Sequence, residues 1–146
     1  MSGSFYLHCD WHASHHLRVM CDRIFGYNNF RNDIIWQYST GGISKAHFAR
    51  KHDAIFFFSK SKDYIFNQPR TESKDSARFD LDDGDGRKYY IKSGNRYYLD
   101  KGVALTDVWD IAPVRNVSKE RVGYPTQKPL ALLERIIKAS SNGAQS

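Results

Sequence analysis

The chain has 146 residues, 40% hydrophobic and 26% charged, a balance that supports one hydrophobic core and excludes a disordered tail. Its net charge of +6 and pI near 9.3 point to an acidic partner, with nucleic acid ahead of a membrane surface. Residues 1–59, 60–101 and 102–146 each carry a net +2, so there is no basic block and any binding face has to be assembled by folding.

The longest apolar run, Ala54-Ile55-Phe56-Phe57-Phe58, is far shorter than the roughly 20 residues of a membrane-spanning helix. The start Met1-Ser2-Gly3-Ser4 lacks a charged signal region, and two cysteines, Cys9 and Cys21, suit a reduced cytoplasmic protein with no membrane partner. Ser4 to Cys9 reads as a strand. Ser14 then opens a helix whose Leu17, Met20, Cys21 and Ile24 share a face until Gly26. Asn32 to Tyr38 reads as a second strand, making with the first strand and the helix a crossover unit of an α/β sheet. From Ser39 to about Ala54 the chain is polar, with Gly41-Gly42 and Lys45, His47, Arg50, Lys51 and His52, and reads as a loop. A hairpin is expected from Ala54–Ser59 and Tyr64–Phe66 about a turn at Lys60–Asp63, and a second from Arg87–Ile91 and Arg96–Leu99 about Lys92–Asn95. Residues 67–86 have little periodicity. Thr106–Ile111 reads as a short last strand, and 112–124 as a linker into a closing helix.

Three side-chain groups invite functional readings. Tyr64, Phe66, Tyr89, Tyr90, Tyr97 and Tyr98 interleave with Arg70, Lys74, Arg78, Arg87, Lys88, Lys92 and Arg96, a mixture that can meet phosphates and stacking faces, or simply form a solvated hairpin face over packed aromatics. His8, Cys9, Asp10, His12, His15 and His16 resemble a metal cluster in composition only, since neighbours on a strand point to opposite faces and the spacing is not that of a zinc site. The run Asp80-Leu81-Asp82-Asp83-Gly84-Asp85-Gly86 lacks the closing Glu of a calcium loop and reads as an acidic turn. No metal is assigned.

The most specific stretch is Gly123 to Ile137. Pro129 sets the backbone of a first helical turn, Thr126 is placed to cap its amides, and Leu130, Leu133 and Ile137 recur at helical spacing. Its string Tyr124-Pro125-Thr126-Gln127-Lys128-Pro129-Leu130-Ala131-Leu132-Leu133 resembles the cofactor-side signature of DNA amino-methyltransferases of the permuted, catalytic-motif-first group. Gly3 to Asp10 is similar to the strand that follows the catalytic loop in that family, and the resemblance extends from Gly3 to Asn142. It implies an α/β fold: an incomplete methyltransferase-type, Rossmann-like sheet with an inserted, hairpin-rich target-recognition region. The implied organisation is 1–38 partial core, 39–105 target recognition, and 106–146 last strand, linker and cofactor-side helix.

The resemblance also implies site residues. Pro125, Thr126, Gln127, Lys128 and Pro129 would line S-adenosylmethionine, His8 and Asp10 would stand near the target pocket at the sheet's carboxyl edge, and Arg70, Lys74, Arg87, Lys88, Lys92 and Arg96 would hold double-stranded DNA. Two family loops have no counterpart here. Pro69, Pro113, Pro125 and Pro129 are the four prolines and none are adjacent, so there is no Asp-Pro-Pro-Tyr-like loop. Phe25-Gly26 is followed by no glycine at position 28, so there is no Phe-x-Gly-x-Gly turn. No catalytic residue is therefore assigned.

The expected function is that of a segment of a site-specific methyltransferase in a restriction–modification setting, acting on adenine N6 or cytosine N4 and inactive without a complementary segment. The alternatives are a non-enzymatic DNA-binding module or relic, or a folded reading frame without a ligand. Cutting such a sheet would expose the edges of Phe5-Tyr6-Leu7 and Ile34-Ile35-Trp36, so a homo-oligomer that covers them is also expected.

Overall fold

The structure is a computed structural model and describes residues 3–39, 42–71, 81–99 and 102–143. It contains two compact units, residues 1–67 with 106–146 and residues 68–105. The region 39–105 is therefore divided, its first part folding with the sheet.

The larger unit is built on a four-stranded sheet. Strand β1 (Ser4–Cys9) leads into helix α1 (Ser14–Phe25), a short 3-10 turn (Tyr27–Asn29) and β2 (Phe30–Gln37). Strand β3 (His52–Ser59) follows. Because β3 lies antiparallel between β1 and β2, those two strands are parallel to each other, with the helix joining them as expected. The expected hairpin of 54–59 with 64–66 does not form. Both edges of β3 are already taken by β1 and β2, so Tyr64 and Phe66 instead lay their rings on Phe57, at 5.9 and 6.1 Å between centroids. The run Ala54–Ser59 is buried throughout, as a central strand covered on both faces requires. A bulge at Phe30/Asn32 frees Arg31, whose Nε donates to the fully buried Ser59 hydroxyl at 2.8 Å.

Alternation along β1, β2 and β3 builds two cores. Cys9, Ala54, Phe56 and Phe58 pack against Cys21 of α1, with Leu17 and Phe25 one turn to either side. Met20 and Ile24, expected on the same face, are exposed instead, because the buried stripe runs Leu17, Cys21, Phe25. On the opposite face lie Ile34, Trp36, Ile55, Phe57, Trp109, Ile111 and Leu132.

Later in the chain come β4 (Arg70–Thr71), β5 (Leu81–Asp82), β6 (Lys88–Lys92), β7 (Asn95–Tyr98), β8 (Val103–Ala104) and β9 (Val108–Asp110), then α2 (Leu130–Ser140). Strand β9 pairs parallel with β2, so Ile34–Trp36 has partners on both sides and does not expose the edge expected of it; the edges of this sheet are β1 and β9. Helix α2 buries Leu132 and Ala139, with Ile136 between them, while Leu130, Leu133 and Ile137 face outward at 58%, 43% and 55% exposure, the reverse of the expected face. The loop residue Asn67 closes its carboxyl end, giving its backbone N–H to Ala139 O at 2.8 Å and its side-chain amide to Lys138 O and Ser141 O.

The smaller unit holds two ladders, β4–β8 and β5–β6–β7. The expected second hairpin forms as β6–β7, turning through Ser93 and Gly94, both at positive φ (52° and 78°), the geometry of a two-residue primed turn. Gly102 (φ 68°) has no room for a side chain: a Cβ there would stand 2.3 Å from Thr71 O.

Candidate functional site

Because β1, β2 and β9 run parallel, their carboxyl ends share one edge, and antiparallel β3 begins there. Open α/β sheets place ligands at such an edge. His8, next to last in β1, points to the α2 side and its Nε2 lies 2.9 Å from Asp53 Oδ2. A carboxylate can only accept, so Nε2 carries the proton. The other oxygen of Asp53 accepts the Tyr38 hydroxyl at 3.1 Å. The His8 ring meets Trp36 edge-on at 5.5 Å, and Trp36 meets Tyr38 at 5.6 Å. Trp36 is itself buried and fixed, its indole N–H donating to Ile111 O at 2.7 Å. Burial, reinforced by the charge and hydrogen bond of Asp53, pushes the Tyr38 phenol up to about 12, so it stays a neutral donor across the physiological range.

Asp10 is not part of this network. Its carboxylate accepts the backbone N–H of His12 at 3.0 Å and lies 3.0 Å from that ring's Nδ1, and the hydrogen bonds from His12 hold its pKa below the ordinary carboxylate value. His12 in turn lies against Trp11 at 3.6 Å, and Arg50 of the polar loop lies over Trp11 at 3.7 Å. The edge thus carries two clusters, one enclosed around Asp53 and one exposed around Asp10.

The signature loop folds on itself. Gln127 accepts the Val122 N–H at 2.9 Å and donates to Glu120 O at 2.7 Å, so its side chain is used to close the loop. Thr126 does not cap α2. Pro129, extended at φ −59° and ψ 139°, takes the cap position, which starts the helix beyond the reach of Thr126; the Glu120 carboxylate accepts the Leu130 N–H at 3.3 Å instead. An acid already stands at this helix terminus, where a second anion would meet repulsion. Pro129 is buried, and Pro125 and Thr126 are exposed. Lys128 reaches back toward the sheet, its Nζ 6.0 Å from the Trp36 ring and 3.3 Å from Thr126 O.

In the smaller unit, Arg70 donates to Gly102 O at 3.0 Å and so braces the β4–β8 ladder. Arg87 lies over Tyr98 at 4.2 Å and Arg96 over Tyr89 at 5.0 Å, while Lys88 and Lys92 are exposed on β6. Lys74 and Arg78 lie outside the described residues, as does Asp80. The acidic turn beside them is held by its own carboxylates: Asp82 accepts the Gly84 N–H, and Asp83 those of Asp85 and Arg87.

Trp36, Tyr38, Asp53 and Glu120 are site residues that sequence reasoning did not single out. The spacing Trp36-Gln37-Tyr38 on a strand was a usable signal for the first two, since it puts both rings on one face. Nothing local marks Asp53, which stands 45 residues from His8.

The chain matches the DNA methylase family over residues 1–145. It is 32% identical to the DNA adenine methyltransferase YhdJ of Escherichia coli K12, over 96% of this chain and 46% of that protein. It is 36% identical to the type II methyltransferase M.HpaI of Haemophilus parainfluenzae, over 77% of this chain and 31% of that protein. With the type II methyltransferase M1.MboII of Moraxella bovis it shares 33% identity, over 77% of this chain and 46% of that protein. The chain thus spans about half the length, or less, of these relatives. Its signature loop, the strand Ser4–Cys9 that carries His8 and the match along its whole length agree, and the chain belongs to the DNA methylase family, the amino-methyltransferases of DNA.

Proposed function

We propose that this chain is a segment of an S-adenosylmethionine-dependent DNA methyltransferase, with a Rossmann-like sheet, that supplies DNA recognition and one wall of the cofactor pocket. By itself it is inactive. The observation that carries this reading is the approach of Lys128, from the signature, to the Trp36 of the His8–Asp53–Tyr38 cluster at the carboxyl edge. Family membership supports S-adenosylmethionine as cofactor, and the residues present fit part of it. Lys128 suits its carboxylate, the Thr126 hydroxyl its ribose, and the exposed Tyr124 ring its adenine face. Gln127 is tied within its loop and serves to shape it. When bound, the cofactor supplies the methyl group; the chain's own residues hold and orient.

The acceptor is the exocyclic nitrogen of adenine or cytosine in duplex DNA. The naming of one relative as an adenine methyltransferase favours adenine N6. Residues 68–105 are the DNA-recognition unit, and His8 with Asp53 and Tyr38 borders the target pocket, a donor and acceptor set suited to a base edge. The outward stripes of the two helices (Met20 and Ile24; Leu130, Leu133 and Ile137) and the outer edge of β1 with Phe5 are the surfaces a complementary segment, or a second copy, covers.

The test is to mix the chain with a separately expressed methyltransferase segment that carries the Asp-Pro-Pro-Tyr-like and glycine-rich loops, and to measure labelled methyl transfer to DNA. Incorporation in the mixture alone is expected. Absence of transfer together with no DNA binding by the chain at low salt refutes the proposal; salt-sensitive DNA binding with no saturable cofactor binding in the mixture marks a non-enzymatic module.

A further inference from the structure

The β5–β6–β7 sheet sorts its cations by face. Residues opposite one another in an antiparallel pair share a face, and successive residues alternate. The register Tyr89↔Tyr98, Ile91↔Arg96 and Leu81↔Tyr89 gathers these residues on one side, and Arg87 joins them, since its guanidinium lies over Tyr98. The register Tyr90↔Tyr97, Lys92↔Asn95 and Asp82↔Lys88 gathers the lysines on the other. A duplex can lie against only one side at a time.

The sides differ in chemistry. On the first, two guanidinium groups rest on a pair of tyrosines 5.6 Å apart, so both cations are held in place before any ligand arrives. Ordering a long side chain in advance removes that cost from binding. The same side leaves Leu81 and Ile91 exposed at 40% and 55%, apolar groups suited to sugars and thymine methyls. Asp83 stands near Arg96, but its carboxylate already accepts two loop amides. On the second side Lys88 stands opposite Asp82 in the register, and Lys88 and Lys92 stand on flexible stems with no aromatic face beneath them, among the described residues, to order them.

We infer that duplex DNA is held by the arginine face of this sheet, through Arg87, Arg96 and Ile91, and that Lys88 and Lys92 face away from it. This rests on the reading of residues 68–105 as the DNA-recognition unit. A two-stranded ribbon such as β6–β7 has the width that a major groove admits.

The experiment uses the full chain and a fluorescent random-sequence duplex, titrated by anisotropy across a salt series. Arg87→Ala/Arg96→Ala is expected to weaken binding at least tenfold and to flatten the log affinity against log salt slope by roughly 2, the signature of two lost phosphate contacts. Lys88→Ala/Lys92→Ala is expected to stay within about twofold of the parent, the scatter of such titrations. Arg87→Lys/Arg96→Lys keeps the charges and guards against misfolding: it should restore the slope while leaving affinity below the parent, because the planar stack is lost. Loss in the lysine pair with retention in the arginine pair overturns the inference, as does equal loss in both or no loss in either. A parent chain that does not bind DNA at low salt refutes instead the underlying reading of this unit.

Discussion

Asp53 joins three elements and carries the sharpest prediction. Its carboxylate, 17% exposed, accepts from His8 at 2.9 Å and Tyr38 at 3.1 Å, one from β1 and one beyond the end of β2. Hydrogen bonds to a charged acceptor contribute about 1.5–3 kcal/mol each when well shielded. His8 is 27% exposed, so water replaces part of what is lost. Asp53→Ala should therefore cost about 2–3 kcal/mol and Asp53→Asn, which keeps one acceptor, about 1 kcal/mol. For a chain of this size that is a fall in Tm of roughly 4–10 °C for the alanine variant.

The same variants separate charge from packing through Tyr38. A phenol raised from 10.0 to about 12 in the folded state contributes stability that is fully present below pH 10 and is lost as pH rises from there through about 12. Burial is the largest cause and Asp53 follows, so both variants should lower the Tyr38 midpoint part of the way toward 10. The assay is ultraviolet titration of tyrosinate, with Tyr38→Phe subtracted to isolate one phenol among nine tyrosines, alongside urea unfolding at pH 8 and pH 11. An alanine variant that loses less than about 0.5 kcal/mol, or whose alkaline titration matches the parent, refutes the coupling of His8, Asp53 and Tyr38.

Other consequences are read more simply. Phe58, with no exposed surface, two rings (Phe25 and Phe30) and the Arg18 guanidinium around it, should cost about 3–5 kcal/mol as Phe58→Ala, seen as a shifted urea midpoint at unchanged slope. Gly102→Ala forces a Cβ onto Thr71 O at a left-handed φ, so amide exchange at Leu105, which bonds Pro69 O, should accelerate while Asn67 and the α2 amides stay protected. Cys9 and Cys21 are free and buried, and burial pushes the Cys9 thiol up to about 11; both should resist iodoacetamide at pH 8 in the native state and react at once in urea, and a fast native thiol would contradict the packing of α1 on β1.

Local signals sufficed where one property decided the outcome. The strand ending at Cys9, the helix stopped by Gly26 at φ 85° and the primed turn at Ser93-Gly94 were all legible because each is a backbone preference of the residues present. Facing was not legible. Helix α2 has two apolar stripes, Leu130, Leu133 and Ile137 and Leu132, Ile136 and Ala139, and periodicity cannot say which of them the sheet will cover. The hairpin expected at 54–66 failed for a reason that was available: five consecutive apolar residues describe a strand buried on both faces, and such a strand has neighbours on both edges, leaving none for Tyr64–Phe66.

The site divides the same way. His8 and Lys128 stood out because they sit in strings that resemble a family, whereas Asp53, which holds His8 in its tautomer, is an acid at the start of β3 with nothing beside it to declare a role. What selects it is topology. An antiparallel β3 threaded between parallel β1 and β2 must begin where they end, so its first side chains arrive at the carboxyl edge. Alternation then puts Asp53 on the face of His8, Trp36 and Tyr38 and leaves His52 to the other. Recognising β3 as the central strand would thus have predicted an acid beside His8 from the sequence alone, and the hairpin reading concealed it.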